Sequence, residues 1–258
     1  MRGSKMPDPN CTICGGTGWR IVERAGLSGA TRCDCQSHDR PQTLLADAKI
    51  PPNYRNATLE NFNVPQDNPV ARTGLGTVLM QVRAFVREYP SAERPGLLLV
   101  GDPGTGKTHL AVAALKALIE RGHEGLFFDY QNLLDRIRSS YDAASGGTNK
   151  EVYGAALDTE LLLLDDLGAH RVTDWVEDTV TAIITHRCNH KKPLIATTNL
   201  PIPQITGPAA EYSGSGGIAT YRKLLQEMIG SRAHSRLFEM CRIVPMLGGQ
   251  DYRMRHGR

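Results

Sequence analysis

Three groups of residues in this chain have the types and spacing to do chemistry. The most specific is Gly101-Asp102-Pro103-Gly104-Thr105-Gly106-Lys107-Thr108. Glycines at 104 and 106 can take φ > 0 and bring bare backbone N–H groups up to phosphate oxygens, and a helix opening behind them adds partial positive charge. Lys107 is the side chain to reach β and γ phosphates, and Thr108 the hydroxyl to ligate Mg²⁺. The octapeptide follows the apolar run Leu97–Val100 and opens into Thr108–Arg121, a stretch of good helix formers. That strand, loop and helix context implies a nucleoside triphosphate site.

The second group is carboxylate and amide. Leu161-Leu-Leu-Leu164-Asp165-Asp166 delivers two acids at the end of a wholly apolar run. Parallel strands buried on both faces read this way, and ligands gather at their carboxyl ends. Asp165 is the expected support for Mg²⁺ behind its immediate ligands, and Asp166 the expected base or water-orienting group. An N-cap followed by a solvated turn residue would use the same letters. Pro193-Leu-Ile-Ala-Thr-Thr-Asn199 ends in polar residues where a buried strand would stay apolar. Asn199 is expected to orient the attacking water, the alternative being a plain turn ahead of Pro201 and Pro203.

The third group is sulfur. Cys11-x-x-Cys14 and Cys33-x-Cys35 form a compact set in which thiolates would hold Zn²⁺, and the glycines after Cys14 allow a knuckle that points N–H groups at sulfur. His38 could replace one sulfur. Four free thiols or a redox dithiol is the competing possibility. Trp19, Ile21 and Val22 are the apolar side chains expected to pack around the metal. Cys188 and Cys241, alone in apolar patterns, read as small core residues.

The elements that must position these groups follow from patterning. Of 258 residues, 40% are hydrophobic and 22% charged, with net charge +3; this is room for one α/β domain plus a small module. No apolar run approaches the length of a membrane span and no secretory h-region precedes the cysteines, so a cytoplasmic chain with no membrane partner is expected. Charge is uneven. Arg222–Arg258 holds eight Lys/Arg against three Asp/Glu, so the C-terminal segment is basic and the rest slightly acidic. Gly125–Asp129 reads as a strand, and Thr173-Asp174 caps a helix to Asn189 with Trp175, Val176, Val180, Ile183 and Ile184 on its apolar face. Upstream, Thr43–Lys49 is helix-like, and Ile50–Phe62 is too rich in prolines and aromatics for a flexible spacer. A Thr58/Asn61 turn closes it, and the spacing predicts a helix over Thr77–Tyr89 that Pro90 ends. The division expected is a zinc knuckle at 1–40, a linker at 41–70 packing on the larger domain, and the nucleotide-binding domain at 71–258.

In order, the phosphate loop, Leu-Leu-Leu-Leu-Asp165-Asp166-Leu-Gly, Ala-Thr-Thr-Asn199 and Gly230-Ser-Arg232-Ala-His-Ser-Arg236-Leu resemble the AAA+ ATPases of the DnaC/DnaI helicase-loader family, which includes the transposition helper IstB. The resemblance covers nearly the whole chain. It implies an α/β P-loop AAA+ parallel sheet of strand order 5-1-4-3-2, with the Asn199 strand between those of the loop and Asp165, and Arg242–Leu247 fifth. Only 22 residues follow Arg236, so the helical lid of other AAA+ proteins is not expected. It implies ATP as nucleotide, Arg236 as an arginine finger reaching a neighbour's nucleotide, and Arg232 as a second sensing arginine. Assembly in an ATP-dependent spiral or ring, a replicative hexameric helicase as client and single-stranded DNA as ligand are implied too. The DNA segment would be Tyr130–Leu157, with Arg136, Arg138, Tyr141 and Lys150 for phosphates and stacking and a loop at Ser145–Thr148. Many AAA+ enzymes have Glu where Asp166 stands, so slow, DNA-stimulated hydrolysis is expected. A transposase client, a switch with negligible turnover and a metabolite kinase remain as alternatives; an N-terminal zinc knuckle is unusual in the IstB type.

Overall fold

The structure, a computed structural model, describes residues 11–24, 27–33, 40–65, 68–139, 148–206, 212–213, 219–220, 223–246 and 252. Cys35, His38 and Tyr141 lie outside them, as do the side chain of Lys150 and residues 145–147.

Near the N-terminus, β1 (Trp19–Arg24) and β2 (Leu27–Arg32) pair antiparallel as a hairpin. The central sheet is built from runs too apolar to face water on either side. Its strands are β3 (Gly96–Gly101), β4 (Gly125–Asp129), β5 (Leu161–Asp165) and β6 (Leu194–Thr198), joined at one edge by a strand of the C-terminal region. A short pair, β7 (Tyr212–Ser213) and β8 (Ala219–Thr220), precedes that edge strand, β9 (Cys241–Met246). All five central strands are parallel, in the spatial order β4-β5-β6-β3-β9. Counted from the other edge this is the 5-1-4-3-2 order that the resemblance implies. Gly101 is required where β3 meets β9, because a Cβ there would lie 2.5 Å from the Met246 carbonyl oxygen.

Helices cover both faces, and period-two alternation along the strands divides the core between them. Helix α1 (Arg40–Asp47), α2 (Pro69–Glu88) and α3 (Lys107–Glu120) lie with Leu97, Leu99, Leu161, Leu163 and Ile195. Ala57 and Leu59, from the segment ahead of α2, are buried in the same cluster. On the other face α4 (Tyr130–Ser139), α5 (Thr148–Asp158), α6 (Asp174–Asn189), α8 (Leu225–Ile229) and α9 (Ser231–Met240) meet Leu98, Val100, Leu162, Leu164, Leu194 and Ala196. The four-residue α7 (Pro203–Thr206) precedes α8. No helix among the described residues is long and apolar enough to cross a membrane.

Helix α6 has the predicted cap, Thr173 accepting from the Val176 N–H at 3.3 Å. Cys241 is buried and Cys188 packs half-buried against the core, as read. Helix α2, by contrast, begins two turns before Thr77. Asn68 caps it by accepting from Ala71 N–H at 3.1 Å and Pro69 takes the first position, while Gly74 and Gly76 break the apolar pattern that would have betrayed those turns. The hairpin also departs from expectation. Trp19 and Ile21 are 51% and 80% exposed: two residues apart on one strand, they share a face, and it points to solvent instead of into a small core.

Candidate functional site

The phosphate loop takes the geometry its glycines permit. Gly104 and Gly106 have φ of 77° and 93°, and a Cβ on Gly106 would sit 2.7 Å from the Phe62 ring. Both backbone and neighbour therefore require glycine. Lys107 is only 5% exposed, and its ammonium donates to the Asp102 carbonyl at 2.8 Å, which also accepts from the Thr105 hydroxyl at 2.9 Å. The loop thus curls around its own lysine and holds the cation where phosphate oxygens would give it a charged acceptor.

Beside the loop, the carboxyl ends of β5 and β6 are tied by one hydroxyl. Thr197 Oγ1 donates to Asp165 Oδ1 at 2.7 Å and accepts from Asp166 N–H at 2.9 Å. Burial pushes the Asp165 carboxyl above its ordinary range; hydrogen bonds from Thr197 and Thr108 pull it down, and the charges of Asp166 and Asp129 push it up. Asp166 adopts φ 54°, a left-handed conformation that costs a non-glycine residue about 1 kcal/mol or more. The turn is clamped by Leu167 N–H to Thr197 O at 2.8 Å and Thr198 Oγ1 to Leu167 O at 2.9 Å. Asn199 Nδ2 donates to Asp166 Oδ1 at 2.8 Å. Its Oδ1 is buried with no hydrogen-bond partner among the described residues.

These parts meet in one cavity of about 350 Å³, lined in part by Pro103–His109, Asp166 and Asn199. Gly101 and Asp102 lead β3 into it, and Asp165 stands just behind. The rest of the wall comes from residues that carry no motif: Asn53, Tyr54, Asn61, Phe62, Asn63, Pro65, Leu75 and Tyr252. The 53–65 wall is pinned through its carbonyls. Lys116 Nζ donates to Arg55 O and Ala57 O at 2.5 and 3.0 Å, His109 Nε2 lies 3.0 Å from Thr58 O, and Arg83 donates to Leu59 O at 3.4 Å. Thr58 and Asn61 hydrogen-bond each other's side chains at 2.9 and 3.1 Å, closing the turn. A loop able to bind an anion and aromatic side chains in the same cavity suit a nucleotide in polarity and size.

Arg232 and Arg236 are not brought to this cavity. They line a separate open depression with Thr185, Ser231 and Ser235, and Arg236 Nη1 is held by Glu239 Oε2 at 2.5 Å. Arg136 and Arg138 are exposed on α4, Arg138 lying 5.0 Å over the Trp175 ring.

A second centre sits in the N-terminal hairpin. The sulfurs of Cys11, Cys14 and Cys33 lie within 4.8 Å of one another, Cys11 and Cys33 at 3.7 Å. Tetrahedral Zn–S bonds of 2.3 Å would separate sulfurs by about 3.8 Å, so the three thiols fit such an ion. Gly18 N–H points at Cys14 Sγ from 3.3 Å, and Gly15, Gly16 and Gly18 all have positive φ, as a knuckle requires. Cys35, the expected fourth ligand, and His38, its alternative, lie outside the described residues.

Comparison with known proteins converges on one group. The model of the IstB-like ATP binding protein family matches residues 39–207. The phage-like element PBSX protein XkdC of Bacillus subtilis is 21% identical over 96% of this chain and 85% of its own length. The replicative helicase loader DnaC of Escherichia coli is 24% identical, the match covering 61% of each chain. Among solved structures, the DnaC helicase loader superposes with TM-score 0.60 at 30% identity, covering 76% of this chain and 99% of the other. DnaI, at 22% identity and TM-score 0.56, shares the fold over 79% of this chain and 94% of its own. A phosphate loop, an Asp-Asp strand end and a 5-1-4-3-2 sheet are thus found in a chain that belongs to the IstB-like ATP binding protein family, as a DnaC-like AAA+ ATPase.

Proposed function

We propose that this protein is a cytoplasmic, ATP-dependent DNA replication protein that loads a replicative hexameric helicase onto single-stranded DNA. The observation that carries the reading is the convergence of the phosphate loop with Asp166 and Asn199 in one cavity, with Asp165 and Thr197 hydrogen-bonded behind them. In this reading Gly101–Thr108 cradles the triphosphate, Lys107 reaches its β and γ phosphates, and Thr108 holds Mg²⁺ with Asp165 behind it. Held there, the metal would neutralise charge developing on the phosphates. Asp166 and Asn199 hold the attacking water, and Tyr54, Asn61 and Phe62 face the base.

Arg236, with Arg232 beside it, completes a neighbouring subunit's site, so hydrolysis needs a spiral or ring. Their depression, apart from the chain's own nucleotide cavity, suits a role in trans. Residues 1–40 form the zinc module, with Cys11, Cys14, Cys33 and Cys35 as ligands, and present the exposed Trp19 and Ile21 to the helicase. Residues 41–70 link it to the ATPase domain at 71–258, while Arg136, Arg138, Tyr141 and Lys150 serve DNA. A transposase client is the second reading, favoured by the family whose model matches.

The test uses the full chain: ATP binding, turnover with and without single-stranded DNA, and capture of purified helicase or transposase. The outcome expected is DNA-stimulated turnover and helicase capture, with Lys107→Ala abolishing ATP binding. Capture of the transposase alone moves the second reading to first place. ATP binding without measurable turnover makes the protein a switch.

A further inference from the structure

One wall of the nucleotide cavity comes from the far end of the chain. Beyond β9, which leaves the sheet at Met246, Tyr252 lies back against the phosphate loop. Its backbone N–H donates to the Gly104 carbonyl at 3.0 Å, and the residue lines the cavity together with Phe62, Leu75 and Lys107. This bond joins two segments far apart in sequence at the loop that would carry the phosphates.

Two consequences follow from its geometry. A trans peptide is planar, with its C=O and N–H antiparallel, so a donor that fixes the Gly104 carbonyl also fixes the direction of the Thr105 N–H, one of the groups the loop can offer to phosphate. The ring has a different task. Tyr252 is 47% exposed, so it stands at the rim of the cavity with one side to solvent. An aromatic face gains little from phosphate oxygens, but against a nucleobase or ribose it would exchange water for a stacking surface.

We propose that Tyr252 is a nucleotide-contacting residue of this ATPase: its ring covers the nucleoside part of the bound nucleotide while its amide holds the phosphate loop. Tyr252 then contributes both a backbone contact to the loop and a side chain to the cavity wall. The proposal rests on the nucleotide reading of the cavity, and its test separates the two.

Equilibrium binding of ATP, ADP and inorganic tripolyphosphate is measured on the full chain, with three variants. Tyr252→Phe keeps the ring and the amide. Tyr252→Ala keeps only the amide, and Tyr252→Pro removes the N–H donor as well. The expected result is ATP and ADP affinity within about twofold for Phe and about tenfold weaker for Ala, with tripolyphosphate binding unchanged by Ala and weakened by Pro. Ala binding ATP like wild type, in a chain that Lys107→Ala disables, overturns the role of Tyr252 and leaves the nucleotide reading standing. Ala losing tripolyphosphate as much as ATP overturns the ring contact, because the loop itself would then have failed. Wild-type protein that binds none of the three ligands overturns both readings together.

Discussion

The strands β5 and β6 bury charge at both ends, and the two ends treat it in opposite ways. At their amino ends the Arg187 guanidinium, wholly buried, donates to the carbonyls of Ala156, Leu157, Thr159, Glu160 and Pro193 at 2.6 to 3.3 Å. Burial lowers its pKa to about 10, so it stays charged at neutral pH. At their carboxyl ends, Asp165 is pushed toward its neutral form, Asp166 is held at φ 54°, and Asn199 Oδ1 is buried with no partner among the described residues. One end directs both terminal nitrogens of its guanidinium at fixed backbone, with Nε buried and unpartnered among the described residues. The other keeps strain and spare capacity that a cation, a phosphate and a water could relieve, which is where function is to be sought.

The sharpest way to break this comparison is at the arginine end. Arg187→Leu strips a charged donor from five carbonyls at once, and a loss of about 3–5 kcal/mol is expected. Urea unfolding at neutral pH measures it, and the fraction still folded should bind ATP with unchanged affinity. Wild-type stability in this variant would show that water can replace the guanidinium and that the two ends differ less than their hydrogen bonds imply.

At the strained end the expectation reverses, with function lost and stability kept. Asp166→Asn fits the same left-handed backbone, since Asn tolerates it, and can still meet Asn199. Turnover should fall by about 10²- to 10⁴-fold, the usual worth of a positioned base. ATP affinity should stay within a few-fold, and the melting temperature should not drop. Undiminished turnover would remove Asp166 from the water-orienting role.

The same contrast explains what could be read from sequence alone. The phosphate loop, Asp165, Asp166 and Asn199 are legible because each lies at the end of an apolar strand and its letters are local. Sheet order came through resemblance, since nothing in the spacing of apolar runs says that β6 inserts between β3 and β5. Arg187 is invisible: near the C-terminal end of α6 it reads as a solvated helix residue, and its five acceptors are backbone atoms that no side-chain pattern records. Asn53, Phe62 and Tyr252 lack a motif for a related reason, as only the folded chain brings them to the loop. Trp19 and Ile21 mislead because apolar character does not by itself mean burial, and a two-stranded hairpin has no second layer to cover both its faces.

The smallest expected effect sharpens the comparison most, because it asks whether unrelieved charge at the carboxyl end costs stability. Asp165 in the folded chain has a pKa above its ordinary 3.8. Between those two values the native state holds a proton that the unfolded chain has lost, so stability falls as pH rises through the window and stays lower above it. Asp165→Asn removes the charge and with it that loss. Without nucleotide, the variant should gain stability relative to wild type as pH rises from 3.8 to neutrality, and the gain should fade on return to acid. Adding Mg²⁺ and ATP should reverse the order at pH 7, because a charged carboxylate supports the cation better than a neutral amide. Parallel unfolding curves for the two proteins across that range, with ligand and without, would mean that Asp165 is satisfied in the resting fold and that the two ends of these strands are alike.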